Sequence, residues 1–131
     1  MMDAEMFWLS LVTAFTAVMW IPYVLNRLTV RGLVDTVGYP EHPKPMAPWA
    51  ERMKAAHANA VENLVVFAAL VLIAQATGAL NGVTAVACVV YFWARVAHFF
   101  VYALRIPWLR TLAFAVGWGA QVAVVWQIWA H

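Results

Sequence analysis

Twenty consecutive residues, Met6 to Leu25, carry no charge. A helix of that length covers about 30 Å, the thickness of a bilayer's hydrocarbon core. Three more apolar segments follow. The pattern predicts an all-α, four-transmembrane-helix bundle in one membrane domain spanning 1–131. The helices are expected over about residues 5–28, 49–77, 83–104 and 108–130. Composition agrees, with 66% hydrophobic and 11% charged residues, against roughly 45–50% and 25% in soluble domains. A net charge of +2, with no basic run interleaved with aromatics, argues against nucleic acid as a partner. The single cysteine, Cys88, excludes an internal disulfide and a multi-cysteine metal site. The acidic start M-M-D-A-E-M, with no small-residue cleavage site after it, predicts that the first apolar run is a retained span.

Punctuation between the segments is clear. Pro22 is expected to kink the first helix. Asn26, Arg27 and Arg31 mark its exit into water. Asp35 to Pro48 reads as a loop, because its prolines remove donors and restrict their predecessors. Gly78 to Gly82 is a tight turn, and Ile106-Pro107 breaks the third helix from the fourth. Arg27, Arg31, Lys44, Arg52 and Lys54 flank loop one, and Arg105 and Arg110 flank loop three. This asymmetry predicts loops one and three in the cytoplasm and both termini on the opposite side. Trp8, Trp49, Trp108, Trp126 and Trp129 stand where interfacial anchors belong.

Two polar stripes interrupt the apolar pattern. On the second helix, Arg52, Ala55, Ala56, Asn59, Glu62 and Asn63 recur at helical spacing. On the third, Cys88, Tyr91, Arg95, His98, Tyr102 and Arg105 share one face, opposite Val89, Val90, Trp93, Val96 and Phe100. Two such stripes on consecutive antiparallel helices predict a polar seam buried between them. Ionisable groups at that depth are expensive, so Glu62 and Arg95 are expected to pair. One four-helix subunit cannot hide both stripes, which predicts a closed homotrimer. His57 falls off the stripe and is expected to touch a neighbour. His98 has no Cys, His or carboxylate partner at ligand spacing, so no metal site is expected. No nucleophile elbow, P-loop or dinucleotide fingerprint occurs.

The motif E-R-x-x-x-A-H-x-N-x-x-E at Glu51–Glu62, with A-R-V-A-H-x-x-x-Y at Ala94–Tyr102, resembles the membrane-associated proteins in eicosanoid and glutathione metabolism, MAPEG. Arg110-Thr111 after a proline turn is similar to the Arg-Ser that opens the last helix in prostaglandin E synthase members. The resemblance covers nearly the whole chain. The short loops are most like those of bacterial-type members, which implies a bacterial inner membrane. It also implies a homotrimer that binds glutathione between subunits near the cytoplasmic face. Members use the thiol as transferase substrate, peroxidase reductant or isomerase cofactor. Some bind lipid without catalysis.

By this resemblance Asn59, Glu62, His98 and Tyr102 fall on glutathione-contacting positions, and Arg27 falls near one. Arg52 and Arg95 complete the candidate binding set. Arg110 falls on, or one residue from, the arginine that activates the thiol, with Arg105 as the other candidate. Tyr102 is a candidate donor to the sulfur. The chain departs from glutathione-using members at Ala55, where they carry an arginine for a glutathione carboxylate. The implied function is a membrane-bound glutathione transferase or peroxidase acting on hydrophobic or lipid electrophiles. The alternative is a non-catalytic lipid-binding or scaffold member. A transporter would need a polar path across the whole membrane, and both stripes fade away from loops one and three.

Overall fold

The structure, a computed structural model, describes residues 2–131. Every regular element among them is helical: α1 (Ala4–Val18), α2 (Trp20–Val37), α3 (Pro48–Ala76), α4 (Gly82–Ala103) and α5 (Pro107–Ala130). Four helical units are long and apolar enough to cross a membrane, since α1 and α2 together make the first, Ala4–Val37. The chain is a multi-pass membrane protein.

The interruption between α1 and α2 falls at Met19, three residues ahead of Pro22. Proline has no N–H to give the carbonyl of Val18, and its ring crowds that carbonyl. The Met19 N–H turns back to Thr16 O at 3.4 Å, a tighter turn than the α-helix makes. The first span also continues to Val37, beyond the expected end near residue 28. It bends again at Gly32, whose φ of 78° suits a residue without Cβ.

Side chains and backbone turns close the remaining ends. Pro48 opens α3, where its missing N–H would have had no helical partner. Asn26 Oδ1 accepts the Ala47 N–H at 2.9 Å and fastens the long loop to α2. At the end of α3, Gly78 is left-handed; its N–H bonds Gln75 O and that of Ala79 bonds Ala74 O. This paired pattern satisfies carbonyls the helix would leave bare. Asn81 then caps α4 by accepting from the Val83 and Thr84 N–H groups, while Thr84 Oγ1 accepts the Asn81 N–H. The same paired turn ends α4, with Arg105 in the left-handed position at φ 63°.

Helix α4 is central, packing against α1, α3 and α5. Much of the buried surface is alanine, including Ala56, Ala60, Ala74, Ala94 and Ala120. Between membrane helices no hydrophobic force separates protein from lipid, so close backbone approach and interhelical hydrogen bonds hold the bundle. Larger groups fill the gaps: Phe67 stacks on Tyr91 at 3.7 Å between centroids, within a cluster with Val12, Val71 and Val124. A second cluster gathers Met19, Tyr23, Met53 and Phe99. The Tyr23 hydroxyl meets His57 Nδ1 at 2.7 Å, so His57 contacts a neighbouring helix.

The two ends of the bundle differ. One carries Arg52, Arg105 and Arg110. The other is an amide and carboxylate end, where Asn81 Nδ2 donates to Gln127 Oε1 at 2.7 Å and Thr84 donates to the buried Glu5 at 2.7 Å. Glu5 was not legible as a buried group, because it precedes the apolar run. Its burial depends on α1 folding back beside the start of α4. Val12, Phe67, Val71 and Val124 lie in the apolar cluster between this end and the arginine end.

Candidate functional site

Along α4 the stripe falls as its spacing predicts. Cys88, Tyr91, Arg95 and His98 are buried, Tyr102 is half-buried and Arg105 is exposed. Val90, Trp93 and Phe100 on the opposite side are exposed. The stripe of α3 divides: Ala56 is buried, Arg52, Asn59 and Asn63 are half-buried, and Ala55 and Glu62 are exposed.

That division overturns the expected ion pair. Arg95, 2% exposed, gives an Nη2 hydrogen to Asn59 Oδ1 at 2.7 Å. Its second contact is His98 Nδ1 at 3.4 Å, and because a guanidinium only donates, the imidazole nitrogen accepts. Glu62 points out of the seam. It stands three residues after Asn59, about 60° short of a full turn, and only one of the two faces α4. A neutral amide here spares the bundle the desolvation of a second charge. The amide is itself held: Asn63 Nδ2 donates to Asn59 O at 2.9 Å and Oδ1 at 3.3 Å, and Gln121 of α5 donates to Asn63 O at 3.3 Å. One polar chain thus joins α5, α3 and α4. Arg95 Nε is buried with no partner among the described residues.

Beyond this chain, at the arginine end, two clefts meet. A cleft of about 300 Å³ is lined by Asn59, His98, Tyr102, Arg110, Thr111 and Phe114. A smaller one, about 160 Å³, is lined by Arg52, Tyr102, Arg105 and Arg110 with the Ile106-Pro107 turn. Tyr102 and Arg110 line both. The Arg110 guanidinium lies 4.7 Å from the centre of the Tyr102 ring, within cation–π range. His98 meets that ring edge-on at 5.6 Å. Arg52 Nε donates to Ala103 O at 3.0 Å, satisfying a carbonyl at the α4 terminus. Arg110 sits in the opening turns of α5, where the helix dipole disfavours a cation and favours an anion. Helix terminus and guanidinium therefore attract the same kind of ligand.

Of the residues singled out from sequence, Arg52, Asn59, His98, Tyr102 and Arg110 line these clefts, and Arg105 joins them at the mouth. Arg95 stands behind, orienting Asn59. Two residues fall outside. Glu62 is exposed on α3, and Arg27 lies on α2, lining neither cleft, with its Nε buried and without a partner among the described residues. Phe114 was missed. Its one signal was a place one turn after Arg110, which any apolar residue of a membrane helix could share.

The model of the MAPEG family matches residues 7–130, nearly the whole chain and all of both clefts. The chain belongs to the MAPEG family. Comparison with curated proteins gives no significant match. Membership places this MAPEG chain in a family of membrane proteins of glutathione-related transferase and peroxidase type. The clefts suit such a thiol tripeptide chemically. Its two carboxylates call for cations, and three arginines converge; its amides call for donors and acceptors, which Asn59, His98 and Tyr102 supply.

Proposed function

We propose that this protein is a membrane-bound, glutathione-dependent transferase or peroxidase acting on hydrophobic electrophiles. The observation that carries this reading is Arg110 over Tyr102, at the junction of the two clefts. Glutathione supplies a nucleophilic thiolate when bound. A free cysteine thiol has a pKa of ~8.5, and the thiolate is the reactive form. Ionising it near neutral pH needs a shift of about two units, or ~2.7 kcal/mol. A cation–anion pair at ~4 Å is worth ~4 kcal/mol at an effective dielectric of ~20. Arg110 can meet that demand alone, with the α5 terminus adding to it. Tyr102 gives a hydroxyl hydrogen to the sulfur. Asn59 and His98 orient the peptide portion, fixed from behind by Arg95. Arg52 and Arg105 hold carboxylates at the mouth. Phe114 forms an apolar wall through which a lipophilic electrophile reaches the sulfur from the bilayer.

The working unit in this reading is a homotrimer with the arginine end in the cytoplasm, in a bacterial inner membrane. Glu62, a bare carboxylate on a membrane helix, and Arg27, outside the protomer's clefts, then reach the site across a subunit boundary. Ala55 favours a second reading, a lipid-binding or scaffold member, because it removes one carboxylate-holding cation. Calorimetry of the detergent-purified protein separates the two. The enzyme reading expects saturable heat with glutathione and turnover once a hydrophobic electrophile is added. Neither heat nor turnover would leave the scaffold reading in its place.

A further inference from the structure

One nitrogen sets the polarity of the larger cleft's inner wall. Arg95 Nη2 carries two hydrogens. It gives one to Asn59 Oδ1 at 2.7 Å and turns the other to His98 Nδ1 at 3.4 Å. A guanidinium has no lone pair to offer, so neither contact can run the other way. At Asn59 this settles which amide atom faces α4, a choice that heavy-atom positions alone leave open. The same oxygen accepts from Asn63 Nδ2 at 3.3 Å, which takes up its second lone pair. Asn59 is left with its Nδ2 hydrogens for a ligand. At His98 an accepting Nδ1 puts the ring's one hydrogen on Nε2. His98 is left with that N–H.

Asn59 and His98 both line the cleft, and Arg95 is buried behind them. The seam therefore offers the cleft hydrogens and no lone pair. Tyr102, whose hydroxyl both gives and takes, is not fixed in this way. Charge agrees with the polarity. Arg110 lines the same cleft, Arg95 backs it, and no carboxylate among the described residues lines it.

We propose that Arg95 is a positioning residue that fixes the Asn59–His98 wall as donor-only, so that the ligand group seated there is an oxygen acceptor, a carboxylate or peptide carbonyl, and not an ammonium. An oxygen there is met by hydrogens, and an anionic one by stronger, charge-assisted bonds. An ammonium would find donors facing its own hydrogens and two guanidinium charges nearby. The choice of glutathione as ligand rests on the function proposed above. With its sulfur at Arg110, the wall takes one of its oxygens and leaves its amino group elsewhere. The polarity of the wall rests on Arg95 alone.

Nitrogen-15 histidine NMR of the ligand-free protein tests the wall without glutathione. The His98 signals are assigned by their loss in His98→Gln. Nε2 is expected to carry the hydrogen and Nδ1 to be bare; a hydrogen on Nδ1 overturns the proposal. Acetate and methylammonium then serve as probes. Acetate is expected to shift the Nε2–H resonance and methylammonium to leave it in place. Equal shifts, or none with acetate, overturn the proposal. Calorimetry with glutathione follows. Asn59→Asp keeps an acceptor for Arg95 but takes the donor from the cleft, so a role confined to stability predicts normal binding. The expected result is binding weaker by about tenfold or more, the loss of one polar hydrogen bond; unchanged affinity overturns the proposal. Should that variant fail to fold, His98→Gln offers a side-chain N–H in place of Nε2–H, and His98→Leu offers none. The first is expected to bind more tightly than the second by about tenfold; equal affinities overturn the proposal. Wild-type protein that passes the acetate test but binds no glutathione would strike the glutathione reading and support the wall.

Discussion

Arg95 is a buried cation whose closest partner is an amide. Asn59→Ala removes that acceptor and leaves the guanidinium hydrogen unsatisfied. It should destabilise the protein by roughly 1–3 kcal/mol, seen as a lower melting temperature in detergent. A wild-type melting curve would mean that another group or a lipid oxygen takes the amide's place. Helical spacing was enough to place Arg95, His98 and Asn59 in one seam. Spacing could not choose between Asn59 and Glu62 as the partner, since both lie on the stripe and differ by about 60°. Charge complementarity favoured the wrong one, because it ignores the cost of burying the second charge. At the mouth, Arg110→Ala should cut turnover about a hundredfold or more, since ~2.7 kcal/mol is two powers of ten in rate. Arg105→Gly, which removes a carboxylate-holding charge at the mouth, should weaken glutathione binding but keep most of the turnover at saturating glutathione. Steady-state rates with a chromogenic hydrophobic electrophile measure both. Equal losses would assign thiol activation to the mouth's summed charge and not to Arg110.

The helix ends make their own predictions. Gly78 and Arg105 hold the same left-handed position at the ends of α3 and α4, but only one is glycine. A side chain there costs roughly 1 kcal/mol or more. Gly78→Ala should therefore lower stability by about 1 kcal/mol, and Arg105→Gly should not lower it. Thermal unfolding of the two variants side by side is the check. A loss in Arg105→Gly would mean that the arginine's contacts outweigh its backbone strain. The Gly78 turn was readable, since glycine before Ala-Leu-Asn-Gly announces a stop. The turn at Arg105 was not, because its residue hides the backbone shape. The Pro22 kink was readable in kind but not in place, since proline disrupts the carbonyl four residues before it and the chain gives way at Met19. The continuation of α2 to Val37 was hidden by the polar residues that mark the water boundary, because a helix does not end where the membrane does.

For the whole molecule, the four-span architecture was legible because a bilayer demands long uncharged segments and tolerates little else. The role of Glu62 was not, since the folded protomer leaves it exposed and helical spacing cannot say what would meet it there. The protein should be a homotrimer by native mass spectrometry in mild detergent. A stable monomer would strand Glu62 and Arg27 and remove any site they complete. The proposed function requires the cleft at Arg110 to hold a thiolate. Ultraviolet difference absorbance on adding glutathione to the purified protein follows that thiolate. The predicted result is a saturable thiolate band near neutral pH in wild type that is lost in Arg110→Ala. No band in wild type, or an undiminished band in Arg110→Ala, would contradict it.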